Sequence, residues 1–172
     1  LLNHIPVPQE KFLQFNKYND EKVFKKYNIS ADTPFILSSG LLKFSKGTDL
    51  LLSSYSCYRE NVSNPLPLFI IGDIKSNAIY DKIKKAKEVY YFKSMPRPEL
   101  LLLMKSSSLN INLSHSEGMP RFCLEALALK TKVILPQGIP EFDINCKDWV
   151  AKSKNNLLIL AQQFHWAINN KN

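Results

Sequence analysis

Apolar positions along the chain fall into two alternating patterns. Continuously apolar runs read as short strands: PFILSS (34–39), PLFIIG (67–72), EVYYFK (88–93), LNINLS (109–114), TKVILP (131–136) and DWVAK (148–152). Between them, apolar residues recur at helical spacing. One such stretch is 46–61, with Leu50, Leu51, Tyr55 and Tyr58 on one face. The others are the basic stretch 77–86, then 97–107 with Pro98 in its first turn, and 118–130 behind a Gly-Met-Pro turn. A short helix over 19–27, capped by Asn19 or Asp20, precedes the first strand, and a helix over 154–169 closes the chain. Apolar strands alternating with helices build a parallel sheet covered on both faces. The expected fold is α/β, a Rossmann-like three-layer α/β/α arrangement with a mostly parallel sheet of about six strands. Residues 1–33 read as a polar lead-in and linker, 34–152 as the core, and 153–172 as the closing helix.

The glycines sharpen this picture. Gly40, Gly72 and Gly138 each follow a predicted strand, and Gly47 and Gly118 sit where helices begin. In an open α/β sheet, ligands bind at the rim beyond the carboxyl ends of the strands. Glycine there makes a tight turn or lets the backbone come close to a ligand.

The candidate chemistry lies in SEGMPRFCLEALALKTKVILP (116–136). Glu117 falls in the turn before the predicted helix and Glu125 about two turns inside it. Eight residues of helix cover roughly 12 Å, about the separation of the two sugars in a nucleotide-diphosphate sugar. The N–H groups of a helix N-terminus between them suit phosphate. Glu117 reads either as a ligand for sugar hydroxyls or as a helix-capping carboxylate. Glu125 stands among Phe122, Leu124, Ala126 and Leu127. A buried carboxylate there needs a ligand or a bonded neighbour.

Composition narrows the function classes. A length of 172 residues with 45% apolar content fits one domain with a real core. No apolar run approaches the ~20 residues of a membrane span. The chain starts Leu-Leu, without an initiator Met or signal-like segment, and reads as a piece of something longer. Net charge is +8, from 20 Lys and 3 Arg, with the lysines scattered over 17–26, 82–87, 130–132 and 147–154. This reads as a solvated surface, or as attraction to an anionic ligand or membrane face. Scarce Arg and no aromatic–Arg cluster argue against nucleic acid. Cys57, Cys123 and Cys146 lack metal or redox spacing, so a reducing cytosol is the simplest compartment. Asp73 has no acidic cluster around it, and no Gly-x-Gly-x-x-Gly follows a strand, which argues against receiver-like and dinucleotide-binding domains. His115 reads as a rim histidine, and Trp149 and Trp166 as packing anchors.

Several segments together resemble one family. Residues 117–125, E-GMPRFCL-E, match the Glu-x7-Glu motif of retaining glycosyltransferases with the two-domain GT-B fold, family 4 (group 1 type) in particular. IPVPQEKF (5–12) resembles that family's linker into its second domain. GLLKFSKGTDLLL (40–52) resembles "GRL-x-x-x-KG-x-D-x-L", LFIIGD (68–73) "LVIVGDG", and VYYFKSMPRPEL (89–100) "V-x-FLG-x-V-x-x-EL". SHSEG (114–118) is similar to "PS-x-x-EG", LEALALKTKVI (124–134) to "LEAMACGTPVI", and IPEF (139–142) to "G-x-PE". The segments stand in unbroken order.

The resemblance implies the C-terminal, donor-binding half of a GT-B hexosyltransferase. Glu117 would contact the transferred hexose near its anomeric carbon and be the catalytic-side residue; Glu125 would bind the ribose hydroxyls. Gly118, Met119, Pro120, Arg121 and Phe122 would meet diphosphate and hexose, and Lys46 would neutralise the diphosphate. The segment from Phe92 to Met95 would edge the base, and Gly40 and Ser114 complete the implied donor-binding set. The substrate would be a UDP- or GDP-linked sugar, with no metal or other cofactor needed. The acceptor domain would be N-terminal, with its own histidine, so this piece alone would bind donor weakly and transfer nothing. The acceptor would be a glycan or lipid-linked intermediate of polysaccharide or lipopolysaccharide synthesis. The implied location is the cytoplasm, peripherally at the inner, anionic face of the membrane. The chain departs from the family at Leu41, where "GRL" carries Arg, at Lys93 for Gly and at Leu113 for Pro. Lys43 or Arg121 is left to supply the missing charge.

Overall fold

The computed structural model describes residues 20–30, 32–115, 120–135, 150–152 and 157–169. Six strands, β1 (Ile36–Ser39), β2 (Leu68–Ile71), β3 (Val89–Phe92), β4 (Leu109–Ile111), β5 (Val133–Leu135) and β6 (Val150–Lys152), form one sheet in the order β3-β2-β1-β4-β5-β6. Every neighbouring pair is parallel. The helices are α1 (Asp20–Lys26), α2 (Thr48–Asn61), α3 (Asn77–Lys85), α4 (Arg97–Ser106), α5 (Arg121–Ala128) and α6 (Leu157–Asn169). The Rossmann-like α/β/α expectation holds.

Most strand positions are apolar because both faces of the sheet are covered. Leu37, Phe69, Ile71, Val133 and Leu135 point into a cluster with Phe24 of α1, the leucines of α4, and Phe122 and Cys123 of α5. Their chain neighbours Ile36, Leu68, Ile70 and Ile134 point the other way, against Leu51, Leu52, Tyr55 and Tyr58 of α2, Ile79 and Ile83 of α3, and Phe164 of α6. This is the period-2 alternation of a strand sandwiched between two helix layers. Each such side chain contributes about 1.5–3 kcal/mol through burial. The Tyr55 hydroxyl donates to the carbonyls of Leu66 (3.0 Å) and Glu88 (3.2 Å), and the Tyr58 hydroxyl accepts from the Leu66 N–H (3.1 Å). Burial raises the pKa of both phenols.

Most elements are a residue or two shorter than the pattern predicts, and at three of them the difference has a local reason. The 46–61 helix is broken: Phe44–Lys46 form a 3-10 turn, and Gly47, at φ 66°, separates it from α2. The fourth strand stops at Ile111 because the Asn112 Oδ1 takes the Ser114 N–H at 2.9 Å, turning the chain away. The helix expected over 118–130 begins only at Arg121, after extended Pro120, and ends at Ala128. Glu125 therefore lies in its second turn, nearer the start than expected.

The end of α5 is a Schellman motif. The Lys130 N–H bonds the Leu127 carbonyl (2.9 Å), the Thr131 N–H bonds the Ala126 carbonyl (3.0 Å), and Lys130 sits at φ 57°. Thr131 also donates its hydroxyl to Ala126 (2.8 Å) and accepts from buried Asn110 of β4 (2.9 Å), fixing the helix to the sheet. The same geometry ends α1, with Asn28 at φ 54°. That helix is tied to α4: Lys26 Nζ reaches both oxygens of Glu99 (2.8 and 2.9 Å), and the Tyr27 hydroxyl donates to the same carboxylate.

Candidate functional site

The strand order reverses between β1 and β4, and a crevice opens there beyond the carboxyl ends, as expected for doubly wound sheets. A cleft of about 380 Å³ is lined by the β1 end and Gly40–Leu42, by Lys46 and Gly47 from the 3-10 turn, by Asn112 and Leu113 after β4, and by Arg121 and Phe122 opening α5. Its described lining residues include two cations and no carboxylate.

Backbone proximity shapes this rim. Gly40 (φ 149°) and Gly72 (φ 155°) follow adjacent strands, with the Gly40 N–H on the Ile71 carbonyl at 3.0 Å. The pairing resumes beyond them in the Leu42–Ile74 bridge. A Cβ on Gly47 would collide with the Leu113 backbone, so the 3-10 turn can lie against the segment after β4 only with glycine there. That segment hangs on the same turn: the His115 N–H and Ser114 hydroxyl both reach the Ser45 carbonyl, at 3.2 and 3.4 Å.

Of the expected donor-binding residues, Gly40, Lys46, Arg121 and Phe122 meet in the cleft wall. Ser114 and Pro120 are buried beside it. Phe92 and Met95 pack onto the core cluster on the α1 side, Phe92 edge-on to Tyr27 at 5.3 Å and stacked with Phe69. Glu117, Gly118 and Met119 lie outside the described residues, as does Gly138. Leu41, where the family pattern has Arg, is 38% exposed in the cleft wall.

Glu125 is buried, and its bonded neighbour is one that the sequence reading did not name. Arg97, the first residue of α4, pairs through Nη2 with Glu125 Oε1. Glu125 Oε2 is buried and has no hydrogen-bond partner among the described residues. Burial, and then nearby Arg121, lower the Arg97 pKa. Arg121 and Glu125 stand four residues apart on α5, but Arg121 is exposed and lines the cleft while Glu125 is buried against Arg97. The signal was present in the sequence: a cation in a first helical turn opposes the helix dipole and calls for a counter-charge. Among the described residues no group of three His, Cys, Asp or Glu could hold a metal, and no helix is long and apolar enough to cross a membrane.

An open parallel sheet with a cleft at its switch point, two cations in the cleft wall and a buried carboxylate further along the adjoining helix defines a doubly wound α/β class of domain. The pattern of the glycosyl transferases group 1 matches residues 19–163, and the chain belongs to that family. No curated protein sequence matches it significantly. Among solved structures it is similar to a trehalose-6-phosphate protein from E. coli bound with UDP-2-fluoro glucose, with TM-score 0.76, 15% identity, and coverage of 95% of this chain and 42% of that one. A UDP-forming α,α-trehalose-phosphate synthase from Burkholderia xenovorans gives TM-score 0.75 at 14% identity over 94% of this chain and 42% of that one. The N-terminal domain of Candida albicans trehalose-6-phosphate phosphatase gives 0.75 at 13% identity over 95% and 40%. The chain spans about two fifths of the length of these structures. The fold is that of one half of a GT-B enzyme.

Proposed function

We propose that this domain is the donor-binding, C-terminal half of a retaining hexosyltransferase of family 4 type, taking a UDP- or GDP-sugar. The observation that carries the reading is the cleft at the β1–β4 switch point, with Lys46 and Arg121 in its wall and Glu125 one turn further along α5. The two cations suit a diphosphate, whose oxygens accept charge-assisted hydrogen bonds. Glu125 suits the ribose hydroxyls, and Glu117 the hexose at the reacting carbon. Cationic side chains and the start of α5 would stabilise the leaving diphosphate without a metal. The similarity to proteins described as UDP-forming or bound with UDP-2-fluoro glucose supports a uridine donor. The acceptor, in this reading a glycan or lipid-linked intermediate at the cytoplasmic membrane face, would be held by an N-terminal domain.

Titration of the chain with UDP, GDP, UMP and their sugar conjugates by calorimetry tests this. Expected is a diphosphate bound at least about 10-fold more tightly than its monophosphate, the worth of one charge-assisted contact, with Lys46→Ala removing most of the difference. Equal affinity for mono- and diphosphates, or none for any, would refute it. A second reading, a binding domain without transferase chemistry, is favoured by apolar Leu41 in the cleft wall. Donor binding by the full-length protein without donor turnover would select it.

A further inference from the structure

Glu125 makes an unusual arrangement. Its chain neighbours Cys123, Leu124 and Ala126 are buried in an apolar cluster, and the carboxylate is buried with them. One oxygen, Oε1, meets Arg97; the other, Oε2, has no donor among the described residues. Leaving a buried carboxylate oxygen without a donor is costly, and native structures rarely do so without a use for it. Arg97 is also locally disfavoured, since a cation at the first position of α4 opposes the helix dipole. Its pairing with Glu125 offsets that cost. Arginine suits the task because it keeps its charge when partly buried and here engages one carboxylate oxygen alone.

We propose that Arg97 is a positioning residue for ligand recognition: it anchors Glu125 Oε1 and leaves Oε2 as the acceptor for the vicinal hydroxyls of the nucleotide ribose. The inference rests on the reading of Glu125 given above. Arg97 acts through the carboxylate and supports its burial, since an unpaired buried charge would be costly. Arg121, four residues before Glu125 on α5 but in the cleft wall, has the separate task of meeting phosphate.

The test compares UDP with 2′,3′-dideoxy-UDP by calorimetry on the chain, in wild type, Arg97→Met, Arg97→Lys and Arg121→Met, with melting temperatures recorded for each. The wild type is expected to prefer UDP by about 10- to 100-fold, the size of hydrogen bonds to a charged group. Arg97→Met should bring UDP affinity down to that of the dideoxy compound while leaving the latter unchanged. Arg97→Lys should restore part of the preference. Arg121→Met should weaken both ligands by the same factor. If Arg97→Met weakens both ligands equally, or lowers only the melting temperature while the preference survives, the positioning role is overturned and the ribose reading stands. If the wild type shows no preference, or binds neither compound, both fall together.

Discussion

The carbonyl of Gly40 lies where a Cβ on Gly72 would have to be. The two glycines close adjacent strands, and their backbones touch at the lip of the cleft. Gly72→Ala would force the strands apart and strain a backbone at φ 155°. The expected loss is about 2–3 kcal/mol, or roughly 5–10 °C in melting temperature for a domain of this size. Thermal denaturation of the variant checks this; an unchanged transition would mean that the rim yields easily.

Lys130 occupies the left-handed position that ends α5, a conformation glycine adopts more cheaply. Lys130→Gly should raise stability by about 1 kcal/mol, seen as a rise of about 2–4 °C in the same measurement. A fall would show that the lysine side chain contributes more than the backbone costs.

Glu99 links α4 to α1. Burial raises its pKa, but hydrogen bonds from Lys26 and Tyr27 outweigh burial and hold it below the ordinary 4.5. A carboxylate with a depressed folded-state pKa adds stability that is fully present above its unfolded value and lost as pH falls through the folded one. Stability should therefore decline below pH 4.5, and Glu99→Gln should flatten that decline while lowering the plateau at neutral pH. Urea unfolding from pH 3 to pH 7 measures both, about the ordinary Glu range. Parallel curves for the two proteins would rule the linkage out.

Leu41 is a third exposed in a wall shared with Lys46 and Arg121. Leu41→Arg should supply the guanidinium that the family pattern has there, tightening a nucleoside diphosphate about 10-fold with little change for the nucleoside. Calorimetry with UDP and uridine separates the two. No change would place the phosphates elsewhere in the cleft.

The order of strands and helices was legible because apolar strands such as LFII and VIL are buried on both sides and carry no polar face to blur them. The cleft residues Gly40, Lys46, Arg121 and Phe122 were legible through the resemblance of short motifs. Element ends were less so, since side chains decided them: Asn112 captures the Ser114 N–H, Gly47 breaks a helical pattern, and Pro120 delays α5. The Arg97–Glu125 pair could not be read from spacing, because a whole strand, β4, lies between them in the chain. Two local oddities, a cation opening one helix and a carboxylate inside another apolar one, were its only trace.

The first turn of α4 grips in two directions. Glu99 holds α1, and Arg97, two residues before it, holds the acid of α5. The carboxylate of α5 and the helix leading into the sheet are thus joined through three residues of a single helix, without crossing a strand. Two helices on either side of α4 are thereby fastened to one short stretch of chain.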